Sequence, residues 1–196
     1  PPNHRRLASM QQLTGTQGPL TVACWLNADD SAGTEAIFGV ADDGTGDNFH
    51  VIRRASLNIQ ALSRNTGVSA ASATIGSALS PGTWQHATAV FASATSRVIH
   101  MDGSSASNST SRTPTGLDVA AMGANASGSD FQFFDGGIAE CAIWDTDLSD
   151  AQIAELQAGA PATKVAPENL VYYWPLCGND SPELEFIEGA TATVTS

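Results

Sequence analysis

The stretch Trp84-Gln85-His86-Ala87-Thr88-Ala89-Val90-Phe91, followed closely by Arg97-Val98-Ile99-His100-Met101-Asp102-Gly103, decides the fold. Each run is short, sets apolar and β-branched residues among polar ones, and stops at turn residues. That is how half-buried strands read. Ala92 to Ser96 joins the two as a hairpin, and Asp102-Gly103 supplies the backbone freedom of a tight reversal. A lone hairpin is only marginally stable in water, so the remaining strands must lie on either side of it.

Upstream, Leu20 to Asn27 reads as a strand with Val22, Cys24 and Leu26 on one face, and Ala36 to Val40 reads as another. The second ends in the turn cluster Asp42-Asp43-Gly44-Thr45-Gly46-Asp47. Phe49 to Arg54 and Ser56 to Leu62 form a pair meeting near Arg54-Ala55. Downstream, Leu117 to Met122, Gly137 to Trp144, Asn169 to Leu176 and Thr191 to Thr195 add further strands. So many short strands divided by turn residues predict an all-β sandwich. One helix interrupts them. Ser149 and Gln152 make a capping box, Asp150 favours the positive end of the helix dipole, and Gly159 is a stop. The helix is expected from Asp150 to near Ala158, with Ile153 and Leu156 packing on one side. A Pro-rich connector, Ala160 to Pro167, returns the chain to the main body. Residues 1–13 are weakly patterned and are expected to form an N-terminal arm; residues 14–196 are expected to form a single domain.

Composition narrows the function. Asp and Glu number 20 against 8 Lys and Arg, a net charge of −12. Such a chain repels phosphate backbones and anionic lipid, which argues against nucleic acid and membrane surfaces as partners. No apolar run reaches the roughly 18 residues of a membrane-spanning helix. Cysteine occurs three times, at Cys24, Cys141 and Cys177, with no Cys-x-x-Cys pair, so neither a disulfide framework nor a zinc site is expected. Charge is uneven: Arg5 and Arg6 sit beside His4, whereas Asp180, Glu183, Glu185 and Glu188 crowd the other end.

Four segments in order resemble the laminin-G-like and concanavalin A-like lectin/glucanase superfamily, in its bacterial or phage type. They are Thr21 to Leu26 as the first core strand, the Trp84-Gln85-His86 strand with the one ending in Asp102-Gly103, Phe134 to Trp144 running into the Leu148-Ser149-capped helix, and Tyr173-Trp174-Pro175-Leu176. The resemblance implies a jelly-roll of two antiparallel sheets with one short helix near residues 150–158. It leaves function open, because this fold hosts lectins, hydrolases, adhesion modules and structural proteins.

The candidate chemistry is sparse. Glu183-Leu184-Glu185-Phe186-Ile187-Glu188 has the look of a glycosidase carboxylate pattern, but its middle acid is Glu and it follows Pro182, so it reads as a polar turn rather than a catalytic pair. No nucleophile elbow occurs, and His86 and His100 read as local hydrogen-bonding partners. No catalytic residue is assigned. Asp42, Asp43, Asp47 and Asn48, with Gly44 and Gly46 to let the backbone bend, are a candidate calcium loop. Trp25, Trp84, Trp144 and Trp174 fall in strand patterns and are expected in the core. The Ser-, Asn- and Gly-rich stretches 104–113 and 123–130 are expected as loops able to hydrogen-bond a glycan or a protein.

The fold family is usually displayed outside cells, yet the chain opens on Pro1 without a signal peptide and carries unpaired thiols. These features, with the phage-type resemblance, point to a non-catalytic virion-surface protein. It would be made in a host cytoplasm as a capsid decoration or fibre-associated module, held by protein–protein contacts, with a homo-oligomer as one arrangement. Arg5 and Arg6 of the arm would dock on an acidic shell or a neighbouring subunit. The alternative is an extracellular carbohydrate-binding adhesion module of a larger secreted protein, with glycans as partners.

Overall fold

A computed structural model of the chain describes residues 5–7, 19–44, 47–126, 132–176, 183–184 and 191–194. Among them, strands β1 (Arg5–Leu7), β3 (Thr34–Ala41), β4 (Phe49–Ala55), β5 (Asn58–Arg64), β6 (Ala71–Ile75), β10 (Val119–Met122), β13 (Glu183–Leu184) and β14 (Thr191–Val194) make one antiparallel sheet of eight strands, in the order β13-β14-β1-β10-β3-β4-β5-β6. The second sheet has six: β2 (Leu20–Ala28), β7 (Gln85–Ser93), β8 (Ser96–Met101), β9 (Ser104–Asn108), β11 (Gly136–Trp144) and β12 (Leu170–Trp174), in the order β12-β11-β2-β7-β8-β9. This is the expected all-β jelly-roll sandwich.

The core lies between the sheets. Val22, Cys24 and Leu26 of β2 share its face, all fully buried, and meet Phe38, Ile52 and Ile59 of the larger sheet and Ile99 and Trp174 of their own. The hairpin that opened the reading is present as β7 and β8, with Ala89 opposite Ile99. The turn after it holds Asp102 at φ 46° and Gly103 at φ 80°, left-handed values that Gly adopts readily and Asp tolerates.

Two arginines are buried and hydrogen-bonded. Arg54 is fully enclosed; its guanidinium donates to Glu35 Oε2 at 2.6 Å and Asp30 Oδ1 at 2.7 Å, and lies 6.0 Å from the Phe134 ring centre. Arg97, 1% exposed, donates from Nε to Ser63 Oγ at 3.1 Å and to the carbonyls of Ala94 and Thr110. Arg97 thereby links β8 of the small sheet to β5 of the large one. Burying a charge this deeply is tolerable only when its donors are met.

Helix α1 (Asp150–Gln157) begins at the expected capping box. With a short 3-10 helix, Ala162–Lys164, it packs on the outer face of the six-stranded sheet. Ile153 and Leu156 pack with Val90, Ala142, Trp144 and Tyr173 beneath them. Among the described residues no helix is long and apolar enough to cross a membrane.

Three expectations change. Arg5 and Arg6 do not stand apart in an arm: their backbone forms β1, paired with β10 (Arg5 opposite Met122) and with β14 (Arg5 opposite Val194). The strand has three residues, too few to leave a pattern in the sequence. Ser104 to Asn108, expected as loop, is the edge strand β9, whose serines suit an exposed edge. Ala71 to Ile75 adds a strand, β6, at one edge of the larger sheet.

Candidate functional site

The outer face of the six-stranded sheet, beside α1 and the 3-10 helix, carries the candidate site. Because strand side chains alternate, the parity that sends Val22, Cys24 and Leu26 inward sends Ala23, Trp25 and Asn27 outward. Register then sets their neighbours: Trp25 lies opposite His86 of β7 and Ala139 of β11, and Asn27 lies opposite Gly137. Trp84 directly precedes β7 on the same parity as His86. Its ring lies over Gly137, where a Cβ would come within 3.0 and 3.1 Å of the indole carbons. Any larger residue at that position would lift the ring.

A β-bulge completes the site. Between Ala139 and Ala142 the register with β2 slips, so that Glu140 and Cys141 together face Cys24. Cys141 enters the core and Glu140, at φ 53°, lines the outer face. The Glu140 N–H donates to Pro175 O at 3.0 Å, which holds this strained backbone. The Tyr173 hydroxyl on β12 donates to Glu140 Oε2. Trp25 and His86 meet edge to face, 5.3 Å between ring centres and 71° between planes. Burial pushes the His86 imidazole down to about 4, against the pull of Asp102, so it is neutral at pH 7 and offers one donor and one acceptor.

These groups line a cavity of about 190 Å³ with Ala23, Trp144, Leu156 and the turn Gly159 to Ala162 around it. Its lining includes the aromatic residues Trp25, Trp144 and Tyr173, and its polar groups are a carboxylate, a phenol and a neutral imidazole. Such a set can hold the C–H face of a sugar ring and bond its hydroxyls. Glu140 is the one carboxylate among the lining residues. Glycoside hydrolysis ordinarily uses two, roughly 5–10 Å apart.

The residues singled out from the sequence lie elsewhere. Asp42 accepts from the Gly44 N–H at 2.8 Å, and Asp47 pairs with Arg64 at 2.9 Å. Asn48 is buried and bonds Thr66 through both side-chain atoms, and the Asp43 N–H donates to Asp118 at 2.9 Å. Among the described residues no three His, Cys, Asp or Glu side chains group to hold a metal ion. Asp42 and Asp47 are thus met by an amide and a guanidinium donor. Of the four tryptophans, Trp144 and Trp174 are in the core as expected, but Trp25 is half-buried and Trp84 is 48% exposed. Strand parity marks a face; it does not say whether that face is covered. Thr45, Gly46, residues 127–130, Cys177, Glu185 and Glu188 lie outside the described residues.

The comparisons with known proteins follow this geometry. The chain matches the sequence profile of the concanavalin A-like lectin/glucanases superfamily over residues 3–154. Similar solved structures include a putative carbohydrate binding protein from Bacteroides ovatus (14% identity, TM-score 0.69, 99% of this chain and 57% of that one). They also include the CBM40 domain of the Ruminococcus gnavus IT-sialidase bound to α2,3-sialyllactose (12% identity, TM-score 0.63, 80% and 95%). The NanB sialidase of Streptococcus pneumoniae matches at 18% identity with a TM-score of 0.61, over 78% of this chain and 27% of that one. The chain thus spans about a quarter of the NanB sialidase and just over half of the Bacteroides ovatus protein. No curated protein matches it in sequence. At these identities the structures establish the fold, and the profile, covering most of the chain, establishes the family: the chain belongs to the concanavalin A-like lectin/glucanase superfamily.

Proposed function

We propose that the chain is a non-catalytic carbohydrate-binding module of a larger exported protein, taking a sugar in the cavity beside Trp25, Glu140 and Tyr173. The observation that carries this reading is the open aromatic pocket on the outer face of the six-stranded sheet. The names of similar structures support it, being a carbohydrate-binding protein and a domain bound to a sialylated sugar. They lend no support to the virion-surface expectation.

Titration with a panel of mono- and disaccharides, followed by tryptophan fluorescence and calorimetry, tests the reading. Binding in the millimolar to micromolar range is expected, about −4 to −8 kcal/mol, and it should quench or shift Trp25. A folded protein that responds to no sugar would refute it. Release of reducing ends from any polysaccharide would refute its non-catalytic part.

A further inference from the structure

We propose that this pocket takes a neutral sugar ring and turns away sugars that carry a carboxylate, sialic acid among them; the inference rests on the glycan-binding reading above. Three observations support it.

The first is the charge of the walls. Glu140 is the one acidic side chain among the lining residues, no Arg or Lys joins it, and His86 is held uncharged by its burial. Recognition of a carboxylate ordinarily rests on a guanidinium, an ammonium or the N-terminal end of a helix, and the described cations are engaged elsewhere. Arg53 bonds Gln60 and Arg64 bonds Asp47 in or beside the larger sheet. Arg54 and Arg97 are buried and bonded to Glu35 and Ser63 respectively, and Arg112 bonds Ser69. Arg5 and Arg6 lie in the larger sheet. Lys164, exposed at the end of the 3-10 helix, does not line the cavity.

The second is the eight-residue helix that borders the pocket; the 3-10 helix whose Ala162 also lines it has only three residues, too short for an appreciable dipole, and is preceded by Pro161, which has no N–H to offer. Leu156 and Gly159, at the C-terminal end of α1, form part of the wall. That end carries the negative half of the helix dipole, which adds to Glu140 rather than offsetting it. The net charge of −12 acts in the same direction at longer range.

The third is size. A cavity of about 190 Å³ is smaller than the roughly 300–1,000 Å³ of pockets for drug-sized ligands, so it suits one ring. Within it, the Glu140 carboxylate is an acceptor for sugar hydroxyls, and one of its oxygens is oriented by Tyr173.

The test compares matched pairs by calorimetry or ligand-observed NMR: glucose with glucuronic acid, galactose with galacturonic acid, and lactose with 3′-sialyllactose, alongside mannose, xylose and N-acetylglucosamine. The proposal expects binding among the neutral sugars, with each acidic counterpart at least about tenfold weaker. It also expects Glu140→Gln to narrow that gap, a change in ratio that a purely structural role for Glu140 would not produce. An acidic sugar bound as tightly as its neutral partner, and lost in Trp25→Ala, would overturn this inference and leave the glycan-binding reading standing. No binding by any sugar of either kind would overturn both.

Discussion

Two clusters of similar composition face opposite ways. Between the sheets, His50 packs against Phe91 with 4.3 Å between ring centres and 38° between planes, shares a hydrogen bond of 2.8 Å with Ser63, and sits beside Arg97. Outside, His86 meets the Trp25 edge, with Glu140 and Tyr173 close by. Each cluster has an imidazole, an aromatic ring, a hydroxyl and a charge. The inner one looks like a serine–histidine nucleophile pair, but Ser63 is 0% exposed and no substrate can reach it. Its polar atoms close on one another and lock the sheets together. The outer set borders an open cavity and can bond what enters. Chemistry-bearing side chains become a site when the fold leaves them a cavity, not when they merely occur together.

The sharpest way to break this contrast is at Arg97. Arg97→Ala would remove a buried guanidinium with its bonds to Ser63, Asn108 and the carbonyls of Ala94 and Thr110 and leave a cavity between the sheets, and a loss of about 3 kcal/mol is expected by urea denaturation. Variant that still folds should keep its sugar affinity, since the outer pocket shares none of these bonds. The converse is Trp25→Ala. It should weaken binding by about 2 kcal/mol, roughly thirtyfold, when measured by calorimetry, with a smaller change in stability because the ring is only half-buried.

Acid separates the clusters next. Burial, with Arg97 as a second cause, brings His50 down to about 3, and burial brings His86 down to about 4, from an ordinary 6.5. Below pH 6.5 the unfolded chain takes up protons that the folded chain refuses, so stability falls as pH drops from 6.5 toward 4. Each histidine steepens that fall by up to about 1.4 kcal/mol per pH unit. Melting curves of His50→Gln and His86→Gln should each show a shallower pH slope than the parent, and neither group should matter above pH 7.

The smallest effects belong to the surface. Trp84→Ala should change stability by about 1 kcal/mol or less, because about half of the residue is in solvent, and should leave sugar affinity nearly unchanged, since Trp84 does not line the cavity. Calcium or a chelator should leave the melting temperature where it was, since the Asp42 to Asn48 loop makes its own bonds.

The fold was legible where local rules dominate. The capping box at Ser149 and Gln152 placed α1 to within a residue, the Asp102-Gly103 dipeptide placed the end of β8, and alternation placed the inward face of β2. What escaped depended on distant partners. Three residues, Arg5 to Leu7, become a strand only because β10 and β14 present open edges to them. The site was half visible. The Trp84-Gln85-His86 spacing already puts an indole and an imidazole on one side of a strand. Glu140 joined them through a bulge, and one extra residue in β11 leaves no composition signal. Whether Trp25 and Trp84 are covered was decided by where α1 and the 3-10 helix end, which no period-two pattern can report.

The seam made by β1 has a consequence for how the molecule comes into being. Arg5 pairs with Met122 on one side and Val194 on the other, so β1 must wait for two strands that are synthesised much later. Contacts this distant in the chain slow the search for the native state. Until β14 arrives, one flank of the larger sheet presents unsatisfied amides and carbonyls to any neighbour. Nascent chains, or chains shortened before Thr191, should therefore be the species most prone to pair with one another in error.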